Sequence, residues 1–128
     1  MPIFTDNVRK SPTKDQVITL FNTQPMSATI SQIAVVDDTV YQGSILCTTD
    51  STFNGSTSTL TIYISNDNVT YAQGYADDDV TPLTFTLAAS STYSFPLKRI
   101  LFKYYKLTYT VGNASAGVLN ATYVGKKV

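Results

Sequence analysis

The densest group of chemically active side chains in this sequence is the run Asp77-Asp78-Asp79. Carboxylate oxygens are the ligands that calcium prefers, but three consecutive residues of an extended chain cannot all face one ion. The run also matches no calcium-loop spacing, so a solvated loop tip is the favoured interpretation. A pair of carboxylates across a cleft could hydrolyse a glycosidic bond, yet nothing in the sequence places two Asp residues in that way. We therefore predict no metal, no cofactor and no catalytic residue.

Missing residue types exclude most familiar catalysts. The chain contains no His, no Trp and no Glu, and its nine acidic residues are all Asp. Without His there is no Ser/His/Asp or Cys/His arrangement and no His ligand for zinc. Cys47 is the only cysteine, which excludes a disulfide within the chain and a four-Cys metal site. Its neighbours Ile45 and Leu46 favour a buried thiol, and we expect that the protein is not an enzyme.

Tyrosines are the other candidate binding groups. A stacking platform for sugars could use Tyr63, Tyr71, Tyr75, Tyr93, Tyr104 and Tyr105. Sugar-stacking sites usually rely on Trp, however, and Tyr on a strand more often pairs across a sheet or fills an interface core. Carbohydrate recognition is therefore the alternative hypothesis.

The elements that position these groups are predicted to be strands. The chain has 20 Thr and 12 Ser, and its nine Tyr also suit a pleated, half-buried surface. Leu60, Ile62 and Ile64 alternate with polar residues, which predicts a strand over Thr59–Ser65 that turns at Asn66-Asp67-Asn68. Further strands are predicted over 16–21, 28–36, 40–48, 69–72, 81–88, 99–111 and 118–124. Residues 22–25 are predicted to separate the first of these strands from the second. In 81–88 we expect Leu83, Phe85 and Leu87 to face one side, and in 99–111 the later odd positions to enter the core.

Strands at this spacing predict an all-β fold, an antiparallel two-sheet sandwich or jelly roll, over residues 16–128. Residues 1–15 are predicted to form an extended N-terminal arm that orders only against a partner. No apolar run approaches the roughly 20 residues that span a bilayer, and Asp6 and Asn7 interrupt any signal-like segment. We expect the chain to remain where it is made.

Charge is segregated along the sequence although the net charge is +0. Residues 1–14 carry +2, residues 15–97 carry eight Asp and no cation, and residues 98–128 carry six cations and no acid. Such blocks can be neutralised between strands of one molecule or between the acidic face of one copy and the basic face of another. Only six basic residues at the C-terminal end of a chain without net charge argue against nucleic-acid binding.

Three stretches resemble a known family. They are LTIYISNDNVTYAQG from Leu60, FPLKRILFKYYKLTYTVG from Phe95 and VLNATYVGKKV from Val118. Together they resemble the small decoration, or cement, proteins of tailed bacteriophage capsids over residues 60–128. The turn strand ISNDNVTY is also similar to discoidin-like sandwiches and to other phage tail and baseplate modules.

The resemblance implies a non-enzymatic jelly-roll protein that binds the major capsid protein on the outside of the head and stabilises it. Such a protein is made in the host bacterial cytoplasm, resides on the virion and forms a homo-oligomer, either a dimer or a trimer, with no membrane and no direct nucleic-acid contact. A carbohydrate- or receptor-binding module and a tail or neck component are the alternatives. The interface candidates are Arg9, Lys10, Asp77, Asp78, Lys98, Arg99 and Tyr104.

Overall fold

The alternation of apolar and polar residues produces two antiparallel sheets whose apolar sides face each other. The computed structural model describes residues 15–76, 78–97 and 102–127. In chain order the strands are β1 (Gln16–Pro25), β2 (Ile30–Val35), β3 (Val40–Thr49), β4 (Thr59–Ser65), β5 (Ala72–Gln73), β6 (Thr84–Thr86), β7 (Thr92–Pro96), β8 (Tyr104–Thr110) and β9 (Val118–Lys127). In these ranges there is no helix that is long and apolar enough to cross a membrane.

The strands divide between a sheet A and a sheet B. Sheet A has the order β1-β9-β3-β7, and sheet B has the order β2-β8-β4-β5, with β6 paired beside β5 on β4. Each strand pairing is antiparallel. The predicted all-β, antiparallel two-sheet sandwich is therefore confirmed. The predicted arm lies outside the described residues except for Asp15.

The core lies between the sheets and is built from one side of each strand. Tyr105, Leu107 and Tyr109 of β8 are at most 1% exposed, as the prediction for the later odd positions requires. The buried Tyr109 hydroxyl donates a hydrogen bond to the Met26 carbonyl oxygen at 2.8 Å. Among the described residues no buried side-chain polar atom lacks a partner. The apolar sides of the strands are thus buried without unpaired polar groups.

The residues at which three of the predicted strands begin or end need correction. The segment 22–25 is not a separator, because β1 continues to Pro25 through an irregular register in which Thr23 adopts a φ of 48°. β5 begins only at Ala72, since Asp67 accepts hydrogen bonds from the backbone of Val69 and Thr70 and lengthens the turn. β8 begins at Tyr104 rather than at 99, and residues 98–101 lie outside the described part.

The predicted strand over 81–88 shortens to three residues, and one strand was missed. Leu83 and Leu87 are buried as expected, but Phe85 is 37% exposed. Its ring lies 4.9 Å from the ring of the buried Phe95 and so covers the edge between the sheets. Phe95 belongs to β7, which no sequence pattern indicated. The edge of the sandwich is therefore closed by an aromatic contact between β6 and β7.

Candidate functional site

The outer face of sheet B carries aromatic and aliphatic side chains around one lysine. Lys106 lies at the middle of β8, in register with Ile33 of β2 on one side and with Tyr63 of β4 on the other. Two residues earlier on β8, Tyr104 pairs with Val35. Ile33 is 39% and Val35 45% exposed. We call this surface the Lys106 patch; its members are Ile33, Val35, Tyr63, Tyr71, Tyr104 and Lys106.

The Lys106 ammonium is held by aromatic rings. Its Nζ atom lies 4.1 Å from the centroid of the Tyr71 ring and 6.0 Å from that of Tyr63. A cation over an exposed aromatic face contributes about 0.5–1 kcal/mol. Lys103, Lys126 and Lys127 instead contact carboxylates. Of the lysines in the described residues, Lys106 is thus the one whose ammonium contacts aromatic rings rather than a carboxylate.

A preordered turn carries Tyr71 to this position. The Tyr71 hydroxyl donates to Asn68 Oδ1, and Asn68 adopts the left-handed backbone that Asn tolerates. Partial burial, and then the nearby Tyr104 and Asp67, raise the pKa of Tyr71. The hydrogen bonds from Thr70 and Val69 lower the pKa of Asp67, so its carboxylate stays ionised and fixes the turn. The aromatic side of the patch is therefore rigid.

Hydroxyl groups cover the rest of the outer face of sheet B. Ser31 and Thr108 share a hydrogen bond of 2.8 Å, and Thr61 and Thr84 share another of 2.8 Å. These four residues form one row across β2, β8, β4 and β6. The high Thr content thus produces a polar surface beside the Lys106 patch.

The outer face of sheet A is partly apolar. Val17 of β1 is 60% exposed and Leu46 of β3 is 50% exposed. Val17 pairs with Val124 of β9, which lies in register with Ser44 of β3 and beside Leu46. A shallow recess of about 270 Å³ lies along this face and is lined in part by Val124, Pro96 and Lys126. We call the surface formed by Val17, Leu46 and Val124 the sheet A patch.

The six tyrosines do not form one platform. Tyr63, Tyr71 and Tyr104 share the outer face of sheet B, as described above. Tyr105 is buried in the core, and Tyr93 packs against Phe85 at the edge between the sheets, with ring centroids 5.2 Å apart. Tyr75 lies in an isolated bridge with Pro82. The predicted platform is therefore reduced to three rings, one of which is already covered by Lys106.

Of the seven interface candidates, the structure describes Asp78 and Tyr104. Tyr104 belongs to the Lys106 patch, whereas Asp78 lies in the loop between β5 and β6. Arg9, Lys10, Asp77, Lys98 and Arg99 lie outside the described residues. Sequence reasoning missed Lys106, Ile33 and Val35. The outward alternation of Ile33 and Val35 was visible in the sequence, but their placement beside Lys106 depends on the pairing of β2 with β8.

The carboxylate of Asp78 is used by its own loop. It accepts hydrogen bonds from the backbone of Val80 and Thr81, each at 2.9 Å, and from the Thr81 hydroxyl at 2.6 Å. These contacts, with the Thr81 hydroxyl first, lower the pKa of Asp78 to about 2. In the described ranges no group of three potential ligands could hold a metal ion. Asp78 thus orders the loop in which it lies.

In the part of the chain that the structure describes, three ion pairs connect the acidic and basic blocks within one molecule. Lys126 lies 2.9 Å from Asp15, Lys127 lies 3.2 Å from Asp37, and Lys103 lies 3.3 Å from Asp38. The pairs follow from the fold, because β9 runs beside the start of β1, and both β9 and the segment before β8 lie beside the turn between β2 and β3. Pairing inside one sandwich therefore accounts for three of the four cations that the structure describes in the C-terminal block.

The Asn residues of three Asn-X-Ser/Thr sequons act as structural groups. Asn113 Oδ1 accepts from the backbone of Ser56 and Thr57, and Asn54 Oδ1 accepts from the backbone of Ser115 and Ala116. Asn120 Oδ1 accepts from the backbone of Thr23. These amides fasten loops at one end of the sandwich.

Comparison with known proteins shows the fold. No protein-family model matches the chain, and no curated protein sequence matches it. The SPBc2 prophage-derived protein YomS is similar in structure, with a TM-score of 0.52 and 14% identity over 88% of this chain and 96% of that one. A CBM4 structure aligns with a TM-score of 0.40 and 14% identity over 89% of this chain and 68% of that one. The chain therefore has a β-sandwich fold that it shares with a prophage-derived protein.

Proposed function

We propose that this protein is a non-enzymatic structural component of a bacteriophage particle, a decoration protein that binds the major capsid protein on the outer surface of the head. The observation that carries the proposal is the pair of outer sheet faces, each with exposed apolar side chains. A sandwich with a binding surface on both sides can contact the shell with one sheet and a sister copy with the other. We propose that the sheet A patch contacts the capsid.

Two further observations support this function. The chain resembles capsid decoration proteins over residues 60–128, and its fold matches that of a prophage-derived protein along nearly the whole length of both chains. Neither observation depends on the other, since one is a sequence pattern and the other a backbone geometry. A decoration protein also needs only surfaces and rigidity, which the paired loops and the ordered turns provide.

The described charges support a protein partner rather than a nucleic acid. Lys103, Lys126 and Lys127 are each engaged by an Asp, so they do not form a free basic stripe for phosphates. Exposed Val17 and Leu46 on a sheet face are typical of a protein interface.

The copy number of this chain in purified particles tests the proposal. Quantitative mass spectrometry should give hundreds of copies relative to the major capsid protein. A handful of copies would indicate a tail or neck component, and their absence would refute a structural role in the particle.

Rebinding of the purified protein to phage heads that lack this chain tests whether the sheet A patch contacts the capsid. Leu46→Asp places a charge on the sheet A patch and should abolish rebinding, whereas Val69→Asp, at an 81% exposed position in the β4–β5 turn, should leave it intact. Equal binding by both variants would contradict the proposed contact.

Carbohydrate binding remains the second candidate, because Tyr63, Tyr71 and Tyr104 share one outer face. The ammonium of Lys106 over the Tyr71 ring competes with a sugar for that ring. A glycan array with the assembled wild-type protein would show binding that Tyr63→Ala removes if this function were correct; an array without signal would eliminate it.

A further inference from the structure

We infer that the Lys106 patch of one copy binds the loop Asp78-Asp79-Val80 of a second copy of this chain. The inference deepens the homo-oligomer part of the proposed function and assigns the outer face of sheet B to contacts between sister molecules. It is tested with purified protein in solution, so its failure is distinguishable from failure of the role in the particle.

The chemistry of the patch defines what fits it. Lys106 carries a positive charge that rests on Tyr71, and the described residues show no ion pair for it. Ile33 and Val35 expose 39% and 45% of their surface immediately beside it. A partner that offers one carboxylate next to an aliphatic side chain satisfies both features.

The loop between β5 and β6 offers this combination. Val80 is 75% exposed, and Asp78, two residues earlier, is itself exposed. Its Oδ2 atom accepts one hydrogen bond within the loop, from the Thr81 hydroxyl, and keeps a lone pair for the ammonium of a partner. The loop is already ordered, because the Asp79 backbone donates to Ala76 at 2.9 Å and Asp78 holds the backbone of Val80 and Thr81. An ordered loop loses little conformational entropy when it binds.

The two surfaces differ, so the contact is heterologous. Stacking patch on patch would instead place Lys106 of one copy near Lys106 of the other, which like-charge repulsion disfavours. A heterologous contact closes into a ring when the rotation between copies allows it, as in a trimer. A contact of this small size supports association in the micromolar to millimolar range, which a crowded particle surface would favour.

Zero-length cross-linking locates the contact. Equal amounts of ¹⁴N- and ¹⁵N-labelled protein are mixed and treated with a carbodiimide, which joins an amine to a carboxylate in direct contact. The expected product is a mixed-isotope peptide that joins Lys106 to the acidic loop containing Asp78. A mixed-isotope product that joins Lys106 to Asp6 would instead place the N-terminal arm on the patch. That product, or the absence of any mixed-isotope product of Lys106, would overturn the inference.

Sedimentation velocity at rising concentration tests the same contact with variants. Val80→Lys and Lys106→Asp should each weaken self-association at least tenfold. Mixing the two should restore association between unlike variants, because the loop of the first then carries an added positive charge and the patch of the second a negative one. Val69→Lys is the matched control, since Val69 is 81% exposed on the adjacent turn and should not alter association. A wild-type protein that stays monomeric at millimolar concentration, or a Val69→Lys effect equal to that of Val80→Lys, would refute the contact.

Discussion

Lys127 Nζ lies 3.2 Å from Asp37 Oδ2, and this ion pair joins the end of the last strand to the turn between β2 and β3. Lys127 is the main cause of the lowered pKa of Asp37, followed by the hydrogen bond from the Thr39 backbone. The Lys127 side chain is 25% exposed, so water screens this pair less than it screens Lys103 and Asp38, where the Asp side chain is 90% exposed.

Double-mutant cycles should show which of these two ion pairs has the larger coupling free energy. We expect a larger coupling free energy for Asp37→Asn with Lys127→Met than for Asp38→Asn with Lys103→Met, because exposed pairs lose most of their attraction to solvent screening. Urea unfolding of each single and double variant measures both couplings. Equal couplings, or a larger one for the Asp38 pair, would contradict the ranking.

The charge blocks illustrate what the sequence could not decide. Their segregation was visible from the order of Asp and Lys, but pairing within one molecule and pairing between copies were both compatible with it. Whether Asp15, Asp37 and Asp38 pair within one molecule depends on which strands become neighbours. The neighbours of each strand depend in turn on the whole fold. Lys106, from the same basic block, is left on a different face by the alternation of β8.

Acid should remove the contribution of Asp78 to stability. Its folded pKa of about 2 lies below the ordinary value of 3.8, so the ionised carboxylate stabilises the fold above pH 3.8 and this stabilisation is lost as the pH falls through about 2. The urea midpoint of Asp78→Asn should therefore lie below that of the wild type at pH 6, and the two should converge between pH 4 and pH 2. A difference that stays constant over this range would show that ionisation of Asp78 is not the cause.

Removal of the Asn113 amide should open the loops at one end of the sandwich. Asn113 Oδ1 accepts from the backbone of Ser56 at 2.8 Å and of Thr57 at 3.1 Å, and its Nδ2 donates to the Ser56 hydroxyl at 2.8 Å. Because these backbone donors would lose their acceptor but are exposed to water, Asn113→Ala should lower the free energy of unfolding by about 0.5–1.5 kcal/mol.

Two variants serve as controls for Asn113. Asn113→Asp keeps an oxygen acceptor and should cost less than Asn113→Ala. Asn22→Ala changes an exposed Asn of β1 for which the structure shows no side-chain hydrogen bond, and its effect should be within about 0.5 kcal/mol of zero. Thermal unfolding of the three variants measures their losses of stability. An Asn22→Ala variant that loses as much stability as Asn113→Ala would contradict a specific role for Asn113.

The strands with regular alternation were predictable, and those formed by tertiary contacts were not. Thr59–Ser65 was predicted with its observed bounds because Leu60 and Ile62 alternate with polar residues and both become buried. β7 carries only one fully buried residue, Phe95, between Ser94 and Pro96. It lacks an alternating sequence pattern and is a strand because it pairs with β3. The Lys106 patch escaped prediction for a related reason, since its members come from separate strands and become neighbours only through register.

Thiol labelling should distinguish Cys47 sharply from its neighbour Leu46. Cys47 is fully buried in β3 and burial raises the pKa of its thiol to about 12, whereas Leu46 points outward and is 50% exposed. Since the thiolate is the reactive form, native Cys47 should react with a disulfide reagent only when the sandwich opens, and urea should accelerate the reaction by several orders of magnitude. The control is Leu46→Cys in a Cys47→Ala background, which should react rapidly without urea. Cys47→Ala itself should cost about 1–2 kcal/mol through the cavity that it leaves. If the native protein reacts as fast at Cys47 as the control does at position 46, Cys47 does not lie in the core of sheet A.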